Sequence, residues 1–278
     1  MSDRPADNSD QQAFWSTSAG KNWIAHQNAM DALLAPVLDL VLDRAALQPG
    51  ETVLDIGCGA GTSTTKAADR VGSSGSALGL DISNVLLAHA QAQYGNRVTF
   101  VLADAQTYPF HDAAFDIVIS RFGVMFFADS IAAFRNLGKA LRPGGRMVFA
   151  AWGPAPHNPW FMIPARAAAA QLGQMPKTDR SLPGPFAFED QERVIDILTK
   201  AGLTDIRAET CLIDLTPQGN ALDAAHLCCQ IGPAEKALQH FGASDTDAEI
   251  IAGQIAKEFA AMQMRIPANI NLFTATKP

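Results

Sequence analysis

From residue 52 onward the chain alternates two kinds of apolar patterning. Short runs such as Val53-Leu54-Asp55-Ile56, Ala77-Leu78-Gly79-Leu80 and Phe115-Asp116-Ile117-Val118-Ile119 are nearly continuous in apolar residues, as strands buried on both faces are. They predict strands over 52–56, 77–80, 97–102, 115–120 and 147–152. Helix-length segments over 63–69, 83–94 and 130–141 separate most of them, and Arg142-Pro143-Gly144-Gly145 ends the last. Strands spaced by helices predict parallel pairing through right-handed crossovers, hence a doubly wound α/β sheet.

Upstream, Leu33, Leu34, Val37, Leu38, Val41 and Leu42 recur at spacings of three and four, the mark of an amphipathic helix. Pro36 within it predicts a kink or a break into two helices. Trp15 and Trp23 precede this helix, and an aromatic lid over the sheet is the sharper alternative to plain core packing. Downstream, prolines at 154, 156, 159, 164, 176, 183 and 185 change the character of 153–189, which reads as a substrate-side excursion with an Ala-rich helix over 164–172. A helix over 190–201, a strand over 203–215, two or three helices between Pro217 and Pro267, and a final alternating strand over 268–276 complete the chain. The resulting division is a helical lid (1–47), a ligand-binding core (48–152), an insertion (153–189) and a completing segment (190–278) with its own helical insertion (217–267).

The first strand carries the chemistry. It runs into Gly57-Cys58-Gly59-Ala60-Gly61-Thr62, where three alternating glycines permit positive φ and let backbone approach a ligand, and Thr62 or Ser63 is placed to cap the next helix. Asp55 lies in the first strand, Asp81 closes the second and Asp104 the third. Parallel topology gathers the three carboxylates at one sheet edge. An acidic residue after the second strand suits the two ribose hydroxyls of either a nicotinamide or another adenosine cofactor. The turn is G-x-G-x-G and not G-x-G-x-x-G, so the dinucleotide fingerprint is not met. Asp104 suits an adenine amino group, and Asp55 suits a cationic ligand better than a pyrophosphate.

Composition narrows the partners. The 278 residues are 48% hydrophobic and 18% charged, with net charge −7, which fits a globular protein with an ample core and disfavours nucleic acid as a partner. The polar N-terminus, residues 1–12, reads as neither a signal peptide nor a membrane span. Four cysteines without a C-x-x-C predict a reducing compartment, the cytoplasm, and no metal site. Cys58 fits the turn as a small side chain.

Together, residues 53–61, Leu80-Asp81-Ile82-Ser83, Ala103-Asp104-Ala105, residues 115–118 and Leu141-Arg142-Pro143-Gly144-Gly145 resemble the class I S-adenosylmethionine-dependent methyltransferases, in the branch of the ubiquinone/menaquinone C-methyltransferases and related small-molecule enzymes. The resemblance spans about residues 50–152. It implies a Rossmann-like seven-stranded sheet whose last strand, 268–276, is antiparallel, with S-adenosyl-L-methionine as cofactor. It further implies that Asp55, Gly57, Cys58 and Gly59 line the methionine part, Asp81 and Ile82 the ribose and adenine, Asp104 and Ala105 the adenine, with Ser120 and Arg121 beside the methionine end and Trp23 above. Arg121 would pair with the cofactor carboxylate.

Methyl transfer is an in-line displacement that gains chiefly from alignment. Phe122, Met125, Trp152 and Trp160, with Phe126, Phe127 and Phe161, would line an acceptor pocket. If a base is needed, His157 is the first candidate, because residues 152–161 leave the fifth strand toward the acceptor; His111, His26 and His226 follow. The absence of an Asn-Pro-Pro-Tyr signature after the fourth strand points to a small, partly aromatic or apolar acceptor. A nicotinamide-dependent oxidoreductase and a non-catalytic cofactor-binding protein of this fold are the competing readings, and a homodimer is compatible with the chain.

Overall fold

The computed structural model describes residues 7–278. The chain begins with three helices: α1 (Ser9–Trp15), α2 (Ser18–Ala25) and α3 (Gln27–Ala45). β1 (Thr52–Ile56), α4 (Thr62–Val71), β2 (Ser76–Asp81), α5 (Asn84–Tyr94) and β3 (Thr99–Leu102) follow, then β4 (Phe115–Arg121), α6 (Ser130–Ala140) and β5 (Leu141–Trp152). α7 (Pro159–Leu172), α8 (Gln191–Lys200), β6 (Thr204–Leu215), α9 (Ala221–Gln230), α10 (Pro233–Phe241), α11 (Asp245–Ala261) and β7 (Ile266–Thr276) complete it.

The seven strands form one sheet in the order β3-β2-β1-β4-β5-β7-β6. β1 to β5 are parallel, and β7 inserts antiparallel between β5 and β6. Right-handed crossovers place α4 and α5 on one face and α6 on the other, so β1 and β4 flank the point where the winding reverses. Ligands of such sheets bind there, beyond the carboxyl ends of the strands.

Of the two outcomes expected at Pro36, a kink or a break, the break does not occur: α3 passes through Pro36 as one helix. The missing amide costs a helical hydrogen bond, but Leu33, Leu34, Val37, Leu38, Val41 and Leu42 are all at most 2% exposed, and this continuous apolar stripe packs across β4, β5 and β6. β5 starts earlier than the pattern predicts. Leu141 already pairs with Phe115, and an irregularity absorbs the Pro-Gly-Gly turn before Arg146 meets Ile117. Asp116 ties the two central strands at their starts by accepting from the Thr52 amide and hydroxyl, both at 2.7 Å.

Neither Thr62 nor Ser63 caps α4; Gly61, left-handed at φ 90°, takes the N-cap position without a side-chain bond. The hydroxyls of Ser63 and Thr64 turn instead toward the sheet. Among the described residues no helix is long and apolar enough to cross a membrane, and no group of acidic, His and Cys side chains is arranged to hold a metal.

Candidate active site

The ends of β1, β2, β3 and β4 open into one cavity, closed above by α1 and α2 and at its far side by α3, α7 and the α9–α10 junction. The three glycines of the turn have different jobs. A Cβ on Gly57 would lie 2.5 Å from Cα of Gly123, and one on Gly61 2.7 Å from the Phe100 ring, so both are small for packing. A Cβ on Gly59 would meet nothing within 4 Å, although its φ is +55°. Gly59 is therefore where backbone stands open to a ligand.

Asp81, at the end of β2, is 7% exposed on the cavity wall. Its Oδ2 accepts from the Gly59 amide and its Oδ1 from the Ser83 amide, both at 2.8 Å, which fixes the carboxylate to the glycine turn. Burial pushes its pKa above the usual carboxylate range, with the Ser83 and Gly59 amides opposing. Asp104 uses Oδ1 to accept from Asn8 Nδ2 (2.8 Å) and the Gln106 amide (2.9 Å). Ile82, Ala103 and Ala105 lie on the same wall.

Arg121, the last residue of β4, donates through Nη2 to Asp31 Oδ1 of α3 at 3.0 Å. The two side chains are 10% and 18% exposed, so this is a shielded pair and not a surface one. Asp31 Oδ2 accepts from Thr62 Oγ1 (2.6 Å) and Gln27 Nε2 (3.2 Å). Arg121 Nη1 is buried with no partner among the described residues. A buried guanidinium N–H without an acceptor, on a cavity wall, is a place for an anionic ligand group.

Beyond Arg121 the wall becomes apolar. Phe122 adopts φ 71°, unusual for an aromatic residue, and its ring lies on that of Trp152 at 4.5 Å with the planes 3° apart. Trp152 meets Phe161 edge to face at 4.9 Å, and Met125 and Trp160 line the same chamber. Trp23 is on the wall, beside Trp15, which packs edge to face on Phe126 at 5.5 Å.

Three of the residues named from sequence lie off this wall. Asp55 points away from the cavity, because alternation along β1 aims it beneath the first turn of α4, where Ser63 and Thr64 hydroxyls donate to its Oδ2 at 2.6 and 2.7 Å. It is 0% exposed, and desolvation pushes its carboxyl up to about 6 against those two bonds. Ser120 seals the sheet from within, donating to the Ile56 carbonyl at 2.7 Å and accepting from the Gly123 amide at 3.1 Å. His157 is exposed in a single turn, because the neighbouring Asn158 takes the inward position: its Nδ2 donates to the Gly153 and Pro154 carbonyls and its Oδ1 accepts from the Asn269 amide. His26, His111 and His226 also lie outside the cavity lining. Cys58 is on the wall, but burial raises its thiol well above the usual range, which leaves it inert.

Other wall residues gave no signal in the linear pattern. Asn8 is 4% exposed; besides Asp104 it donates to Gln106 Oε1 (3.2 Å) and accepts from the Ala128 amide (2.7 Å), fastening the start of α1 to the sheet edge. Ser83 Oγ donates to the Trp15 carbonyl at 2.7 Å, a second fastening. Asp31, Glu235 and Lys236 complete the charged groups of the lining. The polar pair Gln27 and Asp31, four residues apart beside a buried stripe, was the one trace in sequence.

Residues 53–145 match a family described as methyltransferase domain. The chain is similar to a ubiquinone/menaquinone biosynthesis C-methyltransferase of Hahella chejuensis, 37% identical over 38% of this chain and 45% of that protein. It is also similar to a nocamycin O-methyltransferase of Saccharothrix syringae, 29% identical over 62% of this chain and 66% of the other. The Haemonchus contortus phosphoethanolamine N-methyltransferase 2, solved in complex with S-adenosyl-L-methionine, superposes with a TM-score of 0.54 at 25% identity, covering 87% of this chain and 52% of that one. The chain thus spans about half the length of the first of these relatives. Residues 53–145 are thus similar to a methyltransferase domain, and the comparisons support S-adenosylmethionine as the cofactor. The comparisons give no support to a nicotinamide-dependent enzyme.

Proposed function

We propose that the protein transfers a methyl group from S-adenosylmethionine to a small, partly apolar or aromatic molecule. The observation that carries this reading is the two-part cavity: a polar end built from Gly59, Asp81, Asp104 and Arg121 runs without a break into an aromatic chamber. The donor set fits the cofactor. Asp81 takes the two ribose hydroxyls with the lone pairs that the Gly59 and Ser83 amides leave over. Asp104 Oδ2 accepts from the adenine amino group, with Ile82 and Ala105 against the ring. The unpartnered Nη1 of Arg121 receives the carboxylate of the methionine part, and Asp31, on the other side of Arg121, suits its ammonium.

When bound, S-adenosylmethionine supplies an electrophilic methyl group on a sulfonium. The chain's own contribution is to hold the acceptor in line with it and to keep water out. Phe122, Trp152 and Phe161 form flat apolar walls, and α1 with α2 cover the opening. Such positioning is worth ~7–11 kcal/mol of a bimolecular barrier at best. The net charge of −7 supports a small acceptor over nucleic acid, and four free cysteines support a cytoplasmic setting.

Titration calorimetry with S-adenosylhomocysteine and, separately, with NAD tests the reading. Binding of the first and not the second is expected. Tight NAD binding without S-adenosylhomocysteine binding overturns it, and bound cofactor with no transfer to any member of a broad acceptor panel favours a non-catalytic role.

A further inference from the structure

Among the described residues the cavity lining contains no histidine, and its charged side chains are Asp31, Asp81, Asp104, Arg121, Glu235 and Lys236. Asp31 and Arg121 hold each other, while Asp81 and Asp104 are fixed at the cofactor end by backbone and Asn8 donors. Glu235 and Lys236 remain. Both are in the first turn of α10, whose approach through Gln230, Ile231 and Gly232 walls the chamber together with Trp160 and Phe161 of α7. Lys236 leans outward, its Nζ 5.5 Å above the Phe14 ring of the lid. Glu235 is half-buried; its Oε1 accepts from Gln239 Nε2 and its Oε2 has no partner among the described residues.

We propose, building on the methyl-transfer reading above, that Glu235 is the base of the reaction and that the acceptor is a planar ring bearing an ionisable hydroxyl, a phenol or an enol. A neutral amine attacks with its own lone pair and needs no base for that step. A protonated amine has no free lone pair with which to attack, and it approaches a sulfonium of like charge. A phenol, with an acidity near that of tyrosine at about 10, is mostly protonated at neutral pH and gains from proton removal as it attacks. The flat Phe122–Trp152 stack offers a surface against which such a ring lies. The hydroxyl proton passes to Glu235 Oε2, the freed oxygen pair forms the new bond to the methyl carbon, and the pair of the broken carbon–sulfur bond stays on sulfur.

Burial raises the Glu235 carboxyl above the usual glutamate range, with Lys236 opposing, which moves a base toward the pH at which it works. Of the charged groups on the helices packed against α10, Arg166 of α7 pairs with Glu258 and His226 of α9 with Glu249, both of α11.

The test uses the full chain. Calorimetry with S-adenosylhomocysteine comes first; absence of binding overturns the methyl-transfer reading itself, whereas equal binding by wild type and E235Q isolates the question of the base. Methylation of 2-naphthol, 4-methylumbelliferone and a cyclic 1,3-dione, with 2-naphthylamine as the amine counterpart, is then followed against pH. Expected are hydroxyl products, an acid limb in kcat/KM, a loss of ~10²–10⁴-fold in E235Q together with that limb, and its return in E235D. Methylation of the amine alone, no hydroxyl product despite cofactor binding, or an E235Q enzyme that keeps both rate and limb would each overturn the proposal.

Discussion

Asp81 and Asp55 are two buried aspartates 26 positions apart whose environments assign them opposite tasks. Asp81 reaches the cavity, so Asp81→Ala removes hydrogen bonds to a charged group and is expected to weaken S-adenosylhomocysteine binding by ~1.5–3 kcal/mol, read by calorimetry. Asp55 faces the interior, and its effect is on stability. Its carboxyl titrates at 3.8 in the unfolded chain and at about 6 in the folded one, so the fold prefers it protonated. That contribution is full below pH 3.8 and is lost as pH rises through about 6, amounting to ~3 kcal/mol at neutral pH. Asp55→Asn, neutral throughout, should therefore gain on wild type in urea unfolding as pH rises from 4 to 7. A gap that stays constant with pH would show that Asp55 titrates normally.

At the scale of elements, the glycine turn and the lid each make a separable prediction. Gly57 and Gly123 press together where β1 and β4 end, and Gly57→Ala puts a methyl group 2.5 Å from a backbone atom at a positive φ. Overpacking and the left-handed conformation together predict a loss of ~2–5 kcal/mol in thermal or chemical unfolding. Gly59→Ala carries only the conformational cost of ~1–2 kcal/mol, because its Cβ meets open space, yet it should lose most cofactor affinity since that space is the ligand's. A Gly59→Ala protein that unfolds like Gly57→Ala, or binds like wild type, would contradict this division. In the lid, Asn8→Ala deletes the three bonds by which Asn8 fastens the start of α1 to the sheet edge. Faster amide exchange over residues 9–25 and a rise of ~5–10-fold in the S-adenosylhomocysteine off-rate are expected, corresponding to about one hydrogen bond's net worth. Identical exchange in the variant would show that the Ser83 bond and the ring contacts of Trp15 hold the lid without Asn8.

For the molecule as a whole, the cavity is assembled from both halves of the chain. The strands of the first half supply the polar end, while Trp160 and Glu235 come from helices after β5 and Ile231 from the α9–α10 junction. Asn22 of α2 donates to the Gln230 carbonyl at 3.3 Å, and Lys236 meets Phe14, so lid and inserted helices touch across the opening. A ligand in the cavity thereby touches elements that also touch each other. Cofactor binding should protect the lid and the α9–α10 junction together in hydrogen exchange, and protection confined to the glycine turn would show that they move independently.

Local chemistry made much of this legible in the sequence. Near-continuous apolar runs marked the strands, the spacing of Asp81 and Asp104 behind strand ends placed them at one edge, and three glycines after the first strand located the turn. Those signals are short-range: periodicity, turn preference and side-chain type act within a few residues. What the sequence left undecided depends on contacts between distant positions. Asn8 meets Asp104 across 96 residues and Arg121 meets Asp31 across 90, and no local pattern encodes either pairing. The same holds for direction. Strand alternation sends Asp55 inward, Asn158 displaces His157 outward, and only the packing of α10 against α7 brings Glu235 to the chamber. The polypeptide's own order thus determined the sheet and the polar edge at its glycine turn, while the walls of the aromatic chamber were decided by which helices the closed tertiary structure could press against one another.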